Sequence, residues 1–239
     1  MKTSTIKFPV LLLIMAILLS GCMYPHERRL ENQAPSSFYL DETQKAVEQF
    51  QKDQGVLPIA TKPADTPIFE RYTLDFSRLV PRYIPDAPAN SFEKGGVYQY
   101  TLIDVETKPT VKLIHLGVVS KVADIQQLVD RYRNQTGKLP FKDPVDQGYF
   151  TINYDLLRTQ EPEIRSMVTN QLLSLLISKT GEVGVNYAPD LAGFIRNSKS
   201  KVQSNQDPRY LMAQESMFVP VKSFPYTMIK GEPHLLEIP

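Results

Sequence analysis

The residues of this chain whose types and spacing best suit chemistry are two pairs of acids. Asp146 follows Asp143 by three positions, and Glu163 follows Glu161 by two. A pair of carboxylates can cleave a glycosidic bond, and carboxylate oxygens are also the ligands that Ca²⁺ prefers. Neither spacing fits an EF-hand loop, and acidic side chains in loops are more often simply solvated. The pairs therefore leave open a hydrolase that works through loop carboxylates.

The histidines are weaker candidates for a functional site than the acidic pairs. His26, His115 and His234 are far apart in the sequence. His115 lies in a predicted strand and shares a face with Leu113 and Gly117, where a solvated or hydrogen-bonded structural histidine is expected. The chain has no nucleophile elbow, phosphate-binding loop, dinucleotide-binding glycine pattern or His-Glu-x-x-His motif. We expect no catalytic residue, no cofactor and no metal site.

The one cysteine, Cys22, follows a segment with the parts of an export signal. Lys2 and Lys7 give a basic start, residues 8–19 form a short apolar stretch, and small residues precede the cysteine. A helix that spans a bilayer needs ~20 apolar residues, so this stretch is too short for a permanent membrane span. We predict that residues 1–21 are a signal peptide that is removed.

Residues 19–22 carry a more specific pattern. The sequence Leu19-Ser20-Gly21-Cys22 resembles the lipobox of bacterial lipoproteins at all four positions. The resemblance implies cleavage by signal peptidase II between Gly21 and Cys22, with a diacylglyceryl group attached to the Cys22 sulfur. Each buried CH₂ of such chains contributes ~0.8 kcal/mol to membrane binding. The chain's general character also resembles lipoproteins of Bacillus-type Firmicutes. Together these resemblances imply a lipid-anchored protein on the extracytoplasmic face of the cell membrane. The identity of residue 23, Met23, does not distinguish a location on a Gram-positive cell surface from one in an outer membrane.

The amino-acid composition reduces the number of protein classes that remain possible. The chain has 239 residues, of which 42% are hydrophobic and 22% are charged, so it can bury a core. Its 27 basic and 26 acidic residues give a formal net charge of +1, and no overall field favours nucleic acid. A lipidated Cys22 would leave no thiol for a disulfide. We therefore expect no nucleic-acid partner and a domain that its core alone stabilises.

The exported part divides into a tether and a domain. Residues 22–40 are polar and contain proline and serine, and we interpret them as the lipidated tether. Residues 41–239 mix segments of helical and strand character, which predicts an α+β domain.

Two segments of this domain resemble each other. Residues 46–58 align with residues 128–140, and residues 72–76 with residues 150–154. The identical positions are Val47/Val129, Gly55/Gly137, Leu57/Leu139 and Pro58/Pro140. Each copy has apolar residues at helical spacing, then a glycine that can end the helix and a proline that prevents its resumption. We interpret the likeness as a duplicated helix–strand unit, with units at 41–121 and 122–239. Convergence on a common helix-stop signal is the alternative.

Other segments predict further elements. Residues 97–105 and 110–119 predict the two strands of a central β-hairpin, with its turn at 106–109. Residues 161–179 predict a buried helix, because apolar residues recur there at helical spacing. We also expect a strand at 183–187, a helix at 189–196, a polar loop at 197–209 and edge strands at 217–221 and 226–229.

Aromatic residues are dense between residues 69 and 100. Exposed aromatic rings could stack on sugars or bind an extended peptide, although a place in the core is commoner. The residues are Phe69, Tyr72, Phe76, Tyr83, Phe92, Tyr98 and Tyr100.

These observations favour a non-enzymatic binding or protein-interaction module, tethered by lipid at the cell envelope and directed to an envelope protein partner. The alternative is an envelope hydrolase that cleaves wall glycan or peptide through Asp143 and Asp146. A third class, a solute receptor for an import system, usually needs two larger lobes than these short elements provide.

Overall fold

The computed structural model describes residues 36–197 and 206–237 of the chain. Its helices are α1 (Ser36–Gln54), α2 (Ile68–Arg71), α3 (Leu116–Thr136), α4 (Tyr154–Leu157), α5 (Ala188–Asn197) and α6 (Arg209–Glu215). Its strands are β1 (Tyr98–Ile103), β2 (Thr110–His115), β3 (Phe141–Asp146), β4 (Tyr149–Ile152), β5 (Ile164–Arg165), β6 (Leu172–Leu173), β7 (Leu175–Ser178), β8 (Val183–Val185), β9 (Tyr226–Ile229) and β10 (Glu232–Leu235). Helices are interspersed among small antiparallel sheets, which confirms the predicted α+β fold. The predicted signal peptide and Cys22 lie outside the described residues.

The first unit is a helix followed by antiparallel strands. Helix α1 buries its apolar face and ends at Gly55, which has a left-handed φ of +69°. Ile59 then bridges to Leu74, and the segment around Leu74 pairs with β1. Strands β1 and β2 form the predicted central hairpin, with Tyr98 opposite His115 and Ile103 opposite Thr110.

The second unit repeats this order. Helix α3 ends at Gly137, again with a φ of +69°. Phe141 then pairs with Ile152, so that β3 lies beside β4. Strand β4 pairs with β7, and β7 pairs with β8, which completes a four-stranded sheet.

The two units share individual backbone hydrogen bonds as well as element order. The Ile59 amide donates to the Leu57 carbonyl at 3.0 Å, as Phe141 does to Leu139 at 3.0 Å. The Asp75 amide donates to the Pro58 carbonyl at 2.9 Å, and the Asn153 amide to the Pro140 carbonyl at 2.8 Å. The Asp75 side chain caps a short 3₁₀ helix at Phe76–Arg78, and the Asn153 side chain caps α4. A duplication would produce such matched contacts, and it stays a prediction.

A C-terminal segment, residues 218–224, contacts both the β1–β2 hairpin and the four-stranded sheet. Phe218 bridges in parallel to Leu113 of β2, and Ser223 bridges in parallel to Val185 of β8. The same segment therefore lies against both β2 and β8. The buried apolar residues form two clusters, and this segment contributes to both. Phe218 belongs to the cluster that includes Val47 of α1. The cluster that includes Val129 of α3 contains Val219, Val221 and Phe224.

The prediction of a helix over residues 161–179 is wrong. This stretch forms β5 and β6, a two-stranded hairpin, followed by β7 at the centre of the four-stranded sheet. The hydroxyl of Ser166 accepts hydrogen bonds from the amides of Val168 and Thr169, and Asn170 has a φ of +59°. These local bonds favour a turn over a helix. Pairing with β4 and β8 then buries the leucines and isoleucine of β7, which explains their apolar character.

Several predicted boundaries also move. Strand β2 ends at His115, so residues 116–119 belong to α3. Helix α1 begins at Ser36, so residues 36–40 of the expected tether are helical, and α3 crosses the expected unit boundary after residue 121. The strand near 183–187 and the helix near 189–196 are present, as β8 and α5. Helix α6 and strand β10 were not predicted. No helix in the described ranges is long and apolar enough to cross a membrane.

Candidate binding site

The first acid pair lies in a strand and not in the expected loop. Asp143 and Asp146 belong to β3, an irregular edge strand of the four-stranded sheet. Oδ2 of Asp146 accepts a hydrogen bond from the Leu235 amide at 3.1 Å and lies 3.4 Å from Nδ1 of His234. Its Oδ1 accepts from the Gln147 amide at 2.9 Å. These contacts give Asp146 a structural role in holding β10 against β3.

The remaining predicted candidates are dispersed. Glu163 forms an exposed ion pair with Arg165 at 2.5 Å. His115 is half-buried, its ring edge-on to Tyr98 with centroids 5.6 Å apart. Among the described residues, no three histidine, cysteine or acidic side chains are grouped to hold a metal ion. His26 lies outside the described ranges.

Most of the dense aromatic residues belong to the core. Phe69, Phe76 and Tyr100 are buried, and the Tyr100 hydroxyl donates to Oδ1 of Asn90 at 2.7 Å. Burial raises the pKa of Tyr100, so its hydroxyl stays protonated. Phe92, in contrast, is exposed. Aromatic side chains nevertheless shape one concave site.

This site, which we call the aromatic cavity, has a volume of about 300 Å³. Helix α2, the turn between β1 and β2, and helix α6 surround it. Aromatic walls come from Phe69, Tyr72 and Tyr210. Other lining residues are Ile68, Leu102, Ile103, Asp104, Val105, Glu106 and Thr107.

Local hydrogen bonds hold these walls in position. The Thr101 hydroxyl donates to the Phe69 carbonyl at 3.2 Å, and the Leu102 amide donates to the Tyr72 carbonyl at 2.9 Å. Both bonds attach the segment that carries Phe69 and Tyr72 to β1. On the opposite side, the Tyr210 ring lies 5.5 Å from the Phe69 ring between centroids.

The rim of the cavity is acidic. Asp104 has a left-handed φ of +53°, and its carbonyl accepts from the Thr107 amide at 3.0 Å, which closes the turn. Its Oδ2 accepts from Nε2 of Gln214 at 3.1 Å. Glu106 is exposed at the same rim, and no lining residue is basic. The cavity therefore combines aromatic walls with two rim carboxylates.

Besides Arg71, whose charge acts on Tyr210 and whose Nε donates to the Thr66 carbonyl at 3.0 Å, two cations lie near the cavity without lining it. The buried Lys112 donates from Nζ to the carbonyls of Gln214 at 3.0 Å and Ser216 at 2.5 Å. Burial lowers the pKa of Lys112, and the charge of Asp104 partly opposes that shift. Arg209 places its guanidinium 5.5 Å from the centroid of the Phe69 ring and binds Asp207 and Ser223. Both cations therefore have partners within the fold.

The Tyr210 hydroxyl is neutral at ordinary pH. Burial raises its pKa, and the charges of Asp207 and Asp104 raise it further, against an opposing effect of Arg209. The hydroxyl can therefore donate a hydrogen bond at the cavity wall.

A second, larger concavity of about 470 Å³ lies beside β5 and the start of α3. Its cations are already engaged, since Lys121 Nζ donates to the Glu163 carbonyl at 2.6 Å and Arg165 pairs with the Glu163 side chain. We therefore take the aromatic cavity as the stronger candidate.

Sequence reasoning singled out part of this site. Phe69 and Tyr72 belong to the aromatic-rich segment, and Glu106 and Thr107 to the expected turn. Asp104 and Tyr210 were missed. Tyr210 fell beside an expected loop, and only the tertiary fold brings α6 against α2.

Most of the residues that line the cavity belong to a segment that is similar to a known protein family. Residues 36–115 match the model of the YphF family N-terminal domain. All lining residues of the aromatic cavity except Tyr210 lie in this segment. No curated protein and no solved structure matches the chain.

Proposed function

We propose that this chain is a lipid-anchored protein on the extracytoplasmic face of the cell membrane, which binds a protein partner without catalysis. The observation that carries the binding role is the aromatic cavity. Its volume of about 300 Å³ is at the lower end of ligand sites, and its mixture of apolar walls with a few polar groups is typical of them.

The anchor rests on the sequence at the N-terminus. The lipobox resemblance of residues 19–22 supports lipid attachment at Cys22, and the apolar stretch before it supports export. Residues 23–35 separate Cys22 from helix α1. A lipid on Cys22 would hold the cavity near the membrane surface, where the partner is expected.

The hydrolase alternative has weaker support. It depends on Asp143 and Asp146, and Asp146 already binds the Leu235 amide and lies against His234. Substitution of both acids by asparagine separates the two functions. The hydrolase requires loss of a wall-cleaving activity, whereas the binding module requires unchanged partner capture.

Photo-crosslinking in cells tests the binding role. We would place p-benzoylphenylalanine at Thr107, on the cavity rim, and at Asp130, an exposed position on α3, as the matched control. A protein captured from Thr107 and not from Asp130 is expected. Tyr210→Ala, which removes one wall, should abolish that capture. Equal capture from both positions, or capture that survives Tyr210→Ala, would refute binding at the cavity.

A further inference from the structure

We propose that the aromatic cavity receives a basic side chain, lysine or arginine, from an extended segment of the partner protein. This inference rests on the proposed function and specifies its partner chemically. It combines the charge of the rim, the nature of the walls and a contact that the chain already makes within itself.

The charge of the rim favours a cation. Asp104 and Glu106 are the two charged residues that line the cavity, and both are acidic. The nearby ammonium of Lys112 interacts electrostatically with Asp104, but it is directed to two backbone carbonyls and does not line the cavity. An anionic ligand would lie against two carboxylates, whereas a cation would be attracted by both.

The walls suit the shape of a lysine or arginine side chain. Such side chains carry an apolar stem below a charged head. The stem can pack against the partly exposed Ile68 and Val105 and against the rings of Tyr72 and Tyr210, while the head reaches the rim. A cation within ~6 Å of an aromatic ring is also attracted by the ring's negative face.

The chain itself supplies an example of this contact. The guanidinium of Arg209 lies 5.5 Å from the centroid of Phe69, which lines the same cavity. Tyr72 and Tyr210 line it as well, and neither shows such a cation contact among the described residues. These two rings are the ones that we expect an incoming cation to meet.

Binding of defined peptides to the full-length chain in a neutral detergent tests this inference. The probe is a fluorescein-labelled peptide of alternating lysine and serine, and fluorescence polarisation is the readout. Two matched peptides replace every lysine with norleucine or with glutamate. Norleucine keeps the apolar stem and removes the ammonium group, with its charge and its hydrogen-bond donors. We expect the lysine peptide to bind at least about tenfold more tightly than the norleucine peptide.

Variants of the rim locate the binding. Asp104→Asn with Glu106→Gln removes both charges, and asparagine tolerates the left-handed backbone at position 104. We expect the double variant to bind the lysine peptide about tenfold more weakly. Asp124→Asn, on the exposed surface of α3, removes one acid elsewhere and should leave binding unchanged. The urea midpoint of each variant verifies that it folds.

The outcomes distinguish this inference from the proposed function. Equal binding of the lysine and norleucine peptides, or an unchanged affinity of the rim variant, overturns the basic side chain. If Tyr210→Ala still removes that binding, the cavity remains a binding site with another ligand class. If no peptide binds while crosslinking from Thr107 remains specific, the basic ligand is again wrong and the proposed function survives. Loss of specific crosslinking would overturn both.

Discussion

At the scale of single residues, Asp190 is a buried carboxylate that accepts two short hydrogen bonds. It is fully buried in α5, and its carboxylate accepts from the hydroxyls of Ser166 at 2.6 Å and Thr169 at 2.5 Å. Ser166 in turn accepts from the amides of the β5–β6 turn. One carboxylate therefore fixes this hairpin to α5.

Substitution of Asp190 should be among the most damaging single changes in the chain. Asp190→Ala leaves the buried hydroxyl of Ser166 and the partly buried hydroxyl of Thr169 without their acceptor. A hydrogen bond to a charged group contributes about 1.5–3 kcal/mol. We expect the free energy of unfolding, measured by urea titration, to fall by about 3 kcal/mol. Asp190→Asn keeps one acceptor oxygen and should lose less. Equal losses for the two variants would contradict this account.

Asp75 provides a pH-dependent test. Its carboxylate accepts from the Ser77 hydroxyl and amide and pairs with Arg78 at 3.3 Å, and these contacts lower its pKa below the ordinary 3.8. A carboxyl group whose pKa is lowered by folding stabilises the fold above its ordinary pKa. That stability is lost as the pH falls through the lower folded value.

The expected loss for Asp75→Ala is about 1 kcal/mol at pH 7, the usual contribution of a helix cap. The difference between the parent chain and the variant should shrink as the pH falls below about 4. Urea titrations at pH 7, 4 and 3 measure it. A difference that grows toward acid would reverse the assigned sign of the linkage.

At the scale of elements, the two helix ends make the proposed duplication testable. Gly55 and Gly137 both have a φ of +69°, and a Cβ at either position would meet nothing within 4 Å. The penalty of alanine is therefore one of backbone conformation alone, about 1 kcal/mol. We expect Gly55→Ala and Gly137→Ala to lower the free energy of unfolding by similar amounts.

Asparagine is the matched control at both glycines, because it tolerates the left-handed conformation better than alanine. Gly55→Asn and Gly137→Asn should therefore destabilise the chain less than the alanine variants do. A penalty confined to one of the two sites would show that the helix ends are not energetically equivalent, despite their shared geometry.

Elements governed by local sequence were predictable. Gly55 and Gly137 ended the helices as expected, and the β1–β2 hairpin formed where alternating residues flanked a turn. The prediction of a helix over residues 161–179 was wrong because the spacing of apolar residues does not show which elements will pack against them. The apolar residues of β7 satisfy a helical spacing, yet they are buried by pairing with β4 and β8 on either side. The hydrogen bond from the Ser166 hydroxyl to the distant Asp190 stabilises the turn that forms in place of the predicted helix.

At the scale of the whole molecule, the candidate site depends on contacts between distant parts of the chain. Tyr210 of α6 completes a cavity whose other walls come from residues 68–107. Gln214, also on α6, donates to Asp104 across the same junction. Sequence patterns could identify the aromatic segment, but not the approach of α6, because no local spacing encodes a contact over such a separation.

The proposed location rests on the N-terminal sequence and not on the fold. Helix α1 begins at Ser36 and buries residues from Leu40 onward, and the proposed anchor at Cys22 precedes the part of the chain that the structure describes. We therefore propose that the residues from α1 onward bind the partner and that the N-terminus attaches the chain to the membrane. These two assignments can be separated by one pair of variants.

The most direct measurement compares crosslinking from Thr107 in cells that carry the parent chain or the Cys22→Ala variant. Membranes and soluble material are separated before the captured proteins are identified. The account predicts that the parent chain stays with membranes and captures a specific protein from Thr107. Cys22→Ala should leave the membrane fraction and lose that product. A Cys22→Ala chain that remains in membranes with the same crosslinked product would contradict the proposal of a lipid-anchored binding module.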